Sequence, residues 1–205
     1  MLDGALTSLQ HQSLPADQYE ILVIDNASTD DTAEVVKRHQ AWSSRIRYFY
    51  EPKLGISNAR NRAIAEAEAP IIAYTDDDAC ADAGWLEAVL AAFTRTAQRP
   101  LAVGGRIALG WGSLKRPRWL PDTGLLTLGS LDHGDASIPC RYAYDLFGSN
   151  LAFERAYLAA SGGFNCRLGR TGANLISGEE TEMLARLHAD GGLLLYEPAA
   201  QVTHL

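Results

Sequence analysis

Short apolar segments alternate with helical patterns along the first hundred residues, and this alternation constrains the fold more than any other feature. Residues 21–24 are too few and too uniformly apolar for a surface helix, so they predict a buried strand. Residues 46–50 and 70–74 predict two more strands, with helical periodicity in the intervals between them. Strand–helix–strand alternation is typical of a parallel sheet with right-handed crossovers. We therefore expect an α/β fold.

The remaining segments complete this prediction. Residues 101–147 are rich in Gly and Pro and predict strands and long loops that cover the sheet edge. A late strand is expected at residues 193–196. Helices are expected near residues 5–9, 33–36, 57–67, 85–93, 154–160 and 179–189.

Size and composition exclude several classes of protein. A chain of 205 residues is long enough for one domain with a full core. The net charge of −7 argues against a nucleic-acid partner, which needs a basic face. No apolar run approaches the ~20 residues that cross a bilayer. The three cysteines, Cys80, Cys140 and Cys166, are widely spaced, which favours reduced thiols in a cytoplasmic protein over disulfides or a zinc site.

Three consecutive carboxylates, Asp76, Asp77 and Asp78, follow the third predicted strand. Each ionised neighbour makes the next harder to ionise, and a divalent cation relieves this conflict. The alternative is an acidic turn that caps the next helix, for which Asp82 is a rival cap. Asp25 also ends an apolar strand. Because ligands collect beyond the carboxyl ends of parallel strands, we expect Asp25 and Asp76 along the same edge of the sheet.

Further motifs accompany these acids. In chain order they are Asp-Asn-Ala-Ser-Thr-Asp (25–30), Gly-Ile-Ser-Asn-Ala-Arg-Asn (55–61), Thr-Asp-Asp-Asp (75–78), Gly-Ser-Asn (148–150), Ser-Gly-Glu-Glu-Thr (177–181) and Val-Thr-His (202–204). This order resembles the family 2 glycosyltransferases over nearly the whole chain. Within that family, Leu-Gly-Arg at 168–170 before Gly-Glu-Glu at 178–180 is most similar to bacterial transferases of exopolysaccharide assembly.

The resemblance implies a GT-A fold, with a mostly parallel mixed sheet flanked by helices. It also implies a nucleotide-sugar donor, a divalent metal and inversion at the anomeric carbon. Residues 1–100 would bind the nucleotide, and residues 101–205 would bind the acceptor and carry catalysis, within one domain. Family members begin with an apolar strand before the first helix of this chain. We therefore expect the fold to lack its first strand and the chain to be truncated at its N-terminus.

Two residues have a physical reason to contact the donor. The Asp25 carboxylate can accept a hydrogen bond from a uracil N–H or a ribose hydroxyl, or alternatively cap the helix that follows. Arg60 lies in the first turn of a predicted helix, where anions are already favoured; the alternative is a solvated arginine or one paired with Glu66. The resemblance extends the nucleotide-sugar contacts to Asn26, Ser28, Asp76, Asp77 and Asn150.

The metal and the catalytic base are assigned through the same resemblance. Asp78 is expected to ligate the metal together with Asp76 and His204, and the imidazole shifts preference from Mg²⁺ toward Mn²⁺. Glu180 is expected to be the general base that takes the acceptor proton. Ser177 and Glu180 also have the spacing of a capping box, in which case Glu179 would face the substrate instead.

The sequence thus predicts an inverting, metal-dependent glycosyltransferase with a UDP-sugar as the expected donor. The acceptor would be a saccharide or a lipid-linked saccharide in polysaccharide biosynthesis, and Trp111 and Trp119 would offer flat faces to it or pack in the core. The expected location is the cytoplasm, with peripheral contact at the inner face of the membrane left open. A catalytically impaired nucleotide-sugar-binding module of the same fold is the alternative. A dinucleotide-dependent enzyme is disfavoured, because no Gly-X-Gly-X-X-Gly follows a predicted strand.

Overall fold

The computed structural model describes residues 1–95, 98–171 and 176–205. Its helices are α1 (Leu2–Gln10), α2 (Thr32–Gln40), α3 (Ile56–Glu66), α4 (Trp85–Arg95), α5 (Asp122–Leu125), α6 (Arg155–Ala160) and α7 (Glu179–Ala189). Its strands are β1 (Ile21–Asp25), β2 (Ile46–Tyr50), β3 (Ile71–Thr75), β4 (Ala79–Ala81), β5 (Ala102–Leu109), β6 (Ile138–Pro139), β7 (Asn150–Glu154) and β8 (Leu194–His204). Each segment expected from periodicity overlaps an element of the predicted type.

The first two strands form a small parallel sheet. Ile21 pairs with Ile46, and Asp25 pairs with Tyr50. Helix α2 connects the strands and packs against both, together with α1. This is the strand–helix–strand unit that the apolar periodicity predicts.

The larger sheet has the strand order β3-β7-β5-β8-β4, and β6 pairs with β8 beside this path. Strands β5 and β8 are parallel, whereas β3–β7, β5–β7, β4–β8 and β6–β8 are antiparallel. The sheet is therefore mixed, and it is covered by α4 on one side and by α3, α6 and α7 on the other. Pairing of β4 with β8 carries the end of β8 to the turn that follows β3.

The expectation that β1 and β3 end at one edge of the same sheet is wrong, because the two strands lie in different sheets. No described strand lies between them. A cavity of about 580 Å³ separates them and is lined by both strands and by α1, α3 and α4. Neighbouring strands pair only at a spacing of about 4.8 Å, which this gap prevents. We call the cavity the interstrand slot; Asp25 and Asp76 both line it.

Two helices, α3 and α7, begin without a side-chain cap. The Ser57 hydroxyl donates a hydrogen bond to Leu168 O at 2.9 Å instead of capping α3, which begins after Gly55. Helix α7 begins after Gly178, whose φ of 104° is left-handed, and no side chain caps it. The capping box between Ser177 and Glu180 is therefore not formed, and Glu180 is not committed to the helix terminus.

Residues 110–149 contain mainly loops, as expected, with only β6, α5 and short 3₁₀ turns as regular elements. Within the described residues, no helix combines the length and the apolarity needed to cross a membrane.

Candidate active site

The turn after β3 brings three potential metal ligands together. One atom from each of Asp76, Asp78 and His204 lies within 4.8 Å of the other two. Asp78 Oδ1 is 3.2 Å from His204 Nε2, because the β4–β8 register sets Ala79 opposite His204. The backbone N–H of Leu205 also donates to Asp78 O at 2.8 Å, which fixes the approach of the two chain segments.

The electrostatics of this cluster fit a divalent cation. Asp78 Oδ1 is buried and forms no hydrogen bond with the described residues, although buried oxygens normally have a partner. Burial raises the pKa of Asp76; Arg60 and His204 oppose the rise, while Asp78 and Asp77 add to it. A cation would satisfy the free oxygen and offset the repulsion between the carboxylates. Two carboxylates and one imidazole also suit Mn²⁺ better than a site made only of oxygen ligands.

Asp25 lies at the far wall of the interstrand slot, at the end of β1. Its two oxygens accept hydrogen bonds from the Tyr48 hydroxyl at 2.5 Å and from Ser28 N at 2.8 Å. Burial opposes ionisation of Asp25, but these hydrogen bonds outweigh it and lower the pKa. The same bond raises the pKa of Tyr48 to about 12. Asp25 is therefore a fixed, charged acceptor with lone pairs left for a ligand.

The two residues after Asp25 shape its loop. Asn26 Oδ1 accepts from Gly55 N at 2.7 Å, and its Nδ2 donates to the carbonyls of Glu51 and Lys53. Its amide therefore joins the β1–α2 loop to the β2–α3 loop. Ala27 adopts a left-handed φ of 57°, which is strained for alanine, before the exposed Ser28. This strain lets Ser28 N point back to the carboxylate.

Arg60 is buried on α3 and faces α7 across the site. Its Nη1 lies 2.9 Å from Glu179 Oε1 and 3.9 Å from Glu180 Oε2. The guanidinium also lies over the rings of Tyr74 and Phe164, at 5.8 and 5.4 Å from their centroids. Arg60 therefore pairs with the glutamates; Glu66, its alternative partner, pairs with Arg62 instead, at 2.8 Å.

Glu179 and Glu180 begin α7 and differ in environment. The Glu179 side chain is 6% exposed, whereas that of Glu180 is 20% exposed. Burial raises the pKa of Glu180, and the negative charge of Glu179 raises it further, while Arg60 opposes the rise. Glu179 Oε2 is buried without a hydrogen bond from the described residues. Glu180 is thus the more accessible carboxylate of the two, and its pKa is raised.

Asn150, at the start of β7, is 2% exposed and uses its whole amide inside the protein. Its Oδ1 accepts from Trp85 Nε1 at 2.8 Å, and its Nδ2 donates to Arg106 O at 3.0 Å and to Ala200 O at 2.7 Å. The structure therefore places Asn150 as a connection between β5, β8 and α4.

The interstrand slot gathers most of the predicted donor-binding residues. These are Asp25, Asn26, Ser28, Arg60, Asp76 and Asp77. Asp77 is exposed and free to turn toward a ligand. Asp78 and His204 are not among the residues that line the slot, so a ligand in it would meet the three-residue cluster at Asp76.

Sequence reasoning missed three residues that hold this site. Tyr48 fixes Asp25, Trp85 fixes Asn150, and Gly148 leaves room for Arg60, since a Cβ at Gly148 would lie 2.5 Å from Arg60 Nη2. The Gly-Ser-Asn motif was a signal for Gly148, but nothing local marks the tyrosine or the tryptophan.

Trp119 is 80% exposed, whereas Trp111 is half-buried, so only the former is fully available to a sugar.

Comparison with known proteins places this site in context. A glucosyl-dolichyl phosphate glucuronosyltransferase of Haloferax volcanii is 25% identical over 151 residues, covering 73% of this chain and 47% of that protein. Validoxylamine A glucosyltransferase of Streptomyces hygroscopicus subsp. jinggangensis is 32% identical over 106 residues, covering 51% of this chain and 25% of that protein. The chain thus spans half or less of the length of these curated relatives.

Solved structures share the fold over almost the whole chain. The crystal structure of GalNAc-T7 with UDP, GalNAc and Mn²⁺ superposes with a TM-score of 0.71 at 19% identity, covering 98% of this chain and 40% of that one. Mannosyltransferase PcManGT from Pyrobaculum calidifontis, in complex with GDP-Man and Mn²⁺, gives 0.64 at 23% identity, covering 98% and 52%. The GT-A fold is therefore confirmed. The profile of glycosyl transferase family 2 matches residues 1–142, more than half of the sequence, and the chain belongs to that family.

Proposed function

We propose that the chain is the donor-binding and catalytic core of an inverting, metal-dependent glycosyltransferase. It would move a sugar from a nucleotide-sugar, with UDP as the expected nucleotide, to a saccharide or lipid-linked acceptor in polysaccharide biosynthesis. The observation that carries this proposal is the Asp76–Asp78–His204 cluster behind a slot whose opposite wall holds the ionised Asp25.

Asp76, Asp78 and His204 would hold the cation. When bound, a divalent metal neutralises the charge that develops on a departing diphosphate. The Asp78 oxygen without a hydrogen bond supports this assignment, as does the crowding that raises the pKa of Asp76. The solved relatives named above were crystallised with Mn²⁺, one with UDP and the other with GDP-Man.

Asp25 would accept hydrogen bonds from the base or the ribose of the nucleotide. Its loop is fixed on both sides by Tyr48 and Asn26, so the carboxylate is oriented before a ligand arrives. Asp76 and Asp77, on the other wall of the slot, would meet the ribose. A nucleotide held between these walls would present its phosphates toward the metal cluster.

Glu180 would take the proton of the acceptor hydroxyl during in-line attack. Its accessibility and its raised pKa support this choice over Glu179, which is committed to Arg60. In this proposal the proton moves from the acceptor oxygen to Glu180 as the new glycosidic bond forms, and the nucleoside diphosphate leaves from the opposite face.

Domain organisation and location form part of the proposal. Residues 1–100 would supply the nucleotide half and residues 101–205 the acceptor half of a single domain. The relatives include archaeal and actinobacterial sugar transferases, so the exopolysaccharide role rests on the Leu-Gly-Arg and Gly-Glu-Glu motifs at residues 168–170 and 178–180. The three free cysteines support a reducing, cytoplasmic setting, where an acceptor at the inner membrane face would be reachable.

The interstrand slot favours one alternative function. A wall of the donor site is open between β1 and β3, so the chain as it stands would bind a nucleotide-sugar without efficient transfer. The alternative is therefore a catalytically impaired binding module of the same fold.

Calorimetric titration of UDP and GDP, each with Mn²⁺, with Mg²⁺ and with chelator, tests the proposal together with a donor-hydrolysis assay. We expect UDP to bind in the presence of Mn²⁺ and a matched UDP-sugar to be hydrolysed slowly. Binding without turnover would support the binding module. Absence of any metal-dependent nucleotide binding would refute both functions.

A further inference from the structure

Two adjacent glutamates and one arginine form a buried charged group with unequal contacts. Arg60 Nη1 is 1 Å closer to Glu179 than to Glu180, at 2.9 against 3.9 Å. A buried carboxylate needs such a partner, because an isolated buried charge is strongly disfavoured. The shorter contact also goes to the more buried of the two glutamates.

The position of Arg60 is fixed from several sides. Tyr74 and Phe164 flank the guanidinium, and the Tyr74 hydroxyl donates to Arg60 O at 3.2 Å. A Cβ at Gly148 would collide with Nη2, so the backbone itself closes one side of the site. The arginine therefore cannot exchange partners freely between the two glutamates.

The loop before α7 restricts Glu179 in turn. Gly169 has a left-handed φ of 93°, and a Cβ there would lie 3.3 Å from Glu179 Oε2 and 2.6 Å from Ile56 Cγ2. The loop thus passes directly over the glutamate. Glu179 is held by a charge on one side and by backbone on the other, while Glu180 retains access to solvent.

We propose that Arg60 is a positioning residue that divides the two glutamates between a closely ion-paired anchor, Glu179, and a more distant, more exposed proton acceptor, Glu180. This inference rests on the proposed function, in which Glu180 is the base. Arg60 acts through the glutamates in place of the direct donor contact expected from the sequence. An arginine suits this role because its guanidinium stays charged at every working pH.

The charges around Glu180 determine the sign of the expected effects. Glu179 raises the pKa of Glu180 and Arg60 lowers it. Tyr74 and Asp76, on the β3 side, interact electrostatically with Arg60. Among the other charged groups nearby in the fold, Glu182 and Arg186 on α7 pair with each other, and Asp145 belongs to the 3₁₀ turn that packs on α7. Removing the Arg60 charge should therefore raise the pKa of Glu180, and removing the Glu179 charge should lower it.

The test is a ¹³C NMR titration of the glutamate carboxyl groups in the full chain, without nucleotide or metal. The Glu180 signal is assigned by its loss in Glu180→Gln. We expect the midpoint to move upward in Arg60→Met, downward in Glu179→Gln, and to be restored toward the wild-type value in Arg60→Lys. Opposite charges within 4–6 Å typically shift a carboxyl pKa by about 1–3 units, so the shifts are within the range of the method. Arg62→Met is the matched control on the same helix, because Arg62 pairs with Glu66.

A second readout separates this inference from the proposed function. With a donor and an acceptor in hand, kcat/KM is measured as a function of pH. The acid limb of this profile should move with the NMR midpoint, so kcat/KM on that limb should fall at least tenfold in Arg60→Met. If Arg60→Met does not fold, the downward shift of the midpoint expected in Glu179→Gln still decides the matter. An unchanged midpoint in folded Arg60→Met or Glu179→Gln would overturn the inference. Full transfer by Glu180→Gln, with the NMR shifts present, would instead overturn the base assignment.

Discussion

Replacing Asn150 with alanine tests whether this side chain is a structural connection of the sheet. The β5–β8 pairing shifts register between Gly105 and Ile107, so the ladder of backbone hydrogen bonds is interrupted there. Asn150 Nδ2 donates to Arg106 O and Ala200 O on the two sides of this irregularity. The side-chain amide therefore replaces backbone hydrogen bonds that the bulge removes.

The size of the effect follows from the groups left unpaired. Alanine at position 150 would remove the partner of the Trp85 indole N–H and of two carbonyls, in a site that is 2% exposed. A buried polar group without a partner costs about 1–3 kcal/mol, so three groups cost at least ~3 kcal/mol. For a domain of this size, 1 kcal/mol corresponds to roughly 2–4 °C in Tm. We therefore expect Tm to fall by about 6–12 °C.

Urea denaturation and thermal unfolding, both followed by circular dichroism, measure this loss. Asn58→Ala is the control, because the Asn58 amide donates only to Leu54 O, at 2.9 Å, near the surface. Asn150→Asp keeps the acceptor for Trp85 but places negative charge against two carbonyls, and it should be at least as destabilising as alanine. A loss below about 1 kcal/mol in Asn150→Ala, with an unchanged m-value, would refute the reasoning. Weaker nucleotide binding at unchanged stability would favour a donor contact instead.

Three other predictions concern the site and its surroundings. Glu180→Gln should abolish transfer, with a loss of about 10²-fold or more, and leave UDP affinity nearly unchanged by calorimetry. Asp78→Asn should weaken UDP binding in Mn²⁺ about tenfold or more and leave binding in chelator unchanged. Equal UDP affinities of Asp78→Asn and the wild type in Mn²⁺ would contradict the metal assignment. Burial opposes ionisation of Glu20, but hydrogen bonds from Glu68 N, Arg47 and Ala69 N lower its pKa below 4.5. The contribution of ionised Glu20 to the free energy of unfolding is therefore complete above pH 4.5 and is lost as pH falls through the lower pKa of the folded state. In urea titrations at pH 3–6, the free energy of unfolding of Glu20→Gln should therefore fall less steeply toward acid pH than that of the wild type.

The secondary structure was predictable because apolar periodicity is a local property of the sequence. The strands at residues 21–24 and 70–74 and the helix Glu179–Ala189 appear where periodicity placed them. The acidic cluster after β3 was also recognisable, since three adjacent carboxylates have no packing explanation. The pairing of His204 with Asp78 depended on a family resemblance, because the β4–β8 register that joins them spans most of the chain.

Long-range partners were not predictable in the same way. The contact of Arg60 with Glu179 joins residues 119 positions apart, and local sequence offered only Glu66, six residues away and off the three- or four-residue spacing of helical pairs. Asn150 carries the motif of a ligand contact, yet a sheet irregularity consumes its amide. Neither contact can be read from the local spacing of residues. The Arg60–Glu179 contact depends on how α3 faces α7, and the Asn150 contacts depend on strand register and on how closely the backbones approach at positions such as Gly105.

Two strand edges, those of β1 and β3, face the interstrand slot without a neighbouring strand among the described residues. Unpaired edges are templates for intermolecular β-pairing, which charged side chains normally prevent; here the charges of Glu20, Asp25 and Asp76 lie only at the ends of β1 and β3. Copies of this chain at high concentration would therefore associate edge to edge before the core unfolds. Such association, through two five-residue strands, would depend on protein concentration, whereas unfolding of the core would not.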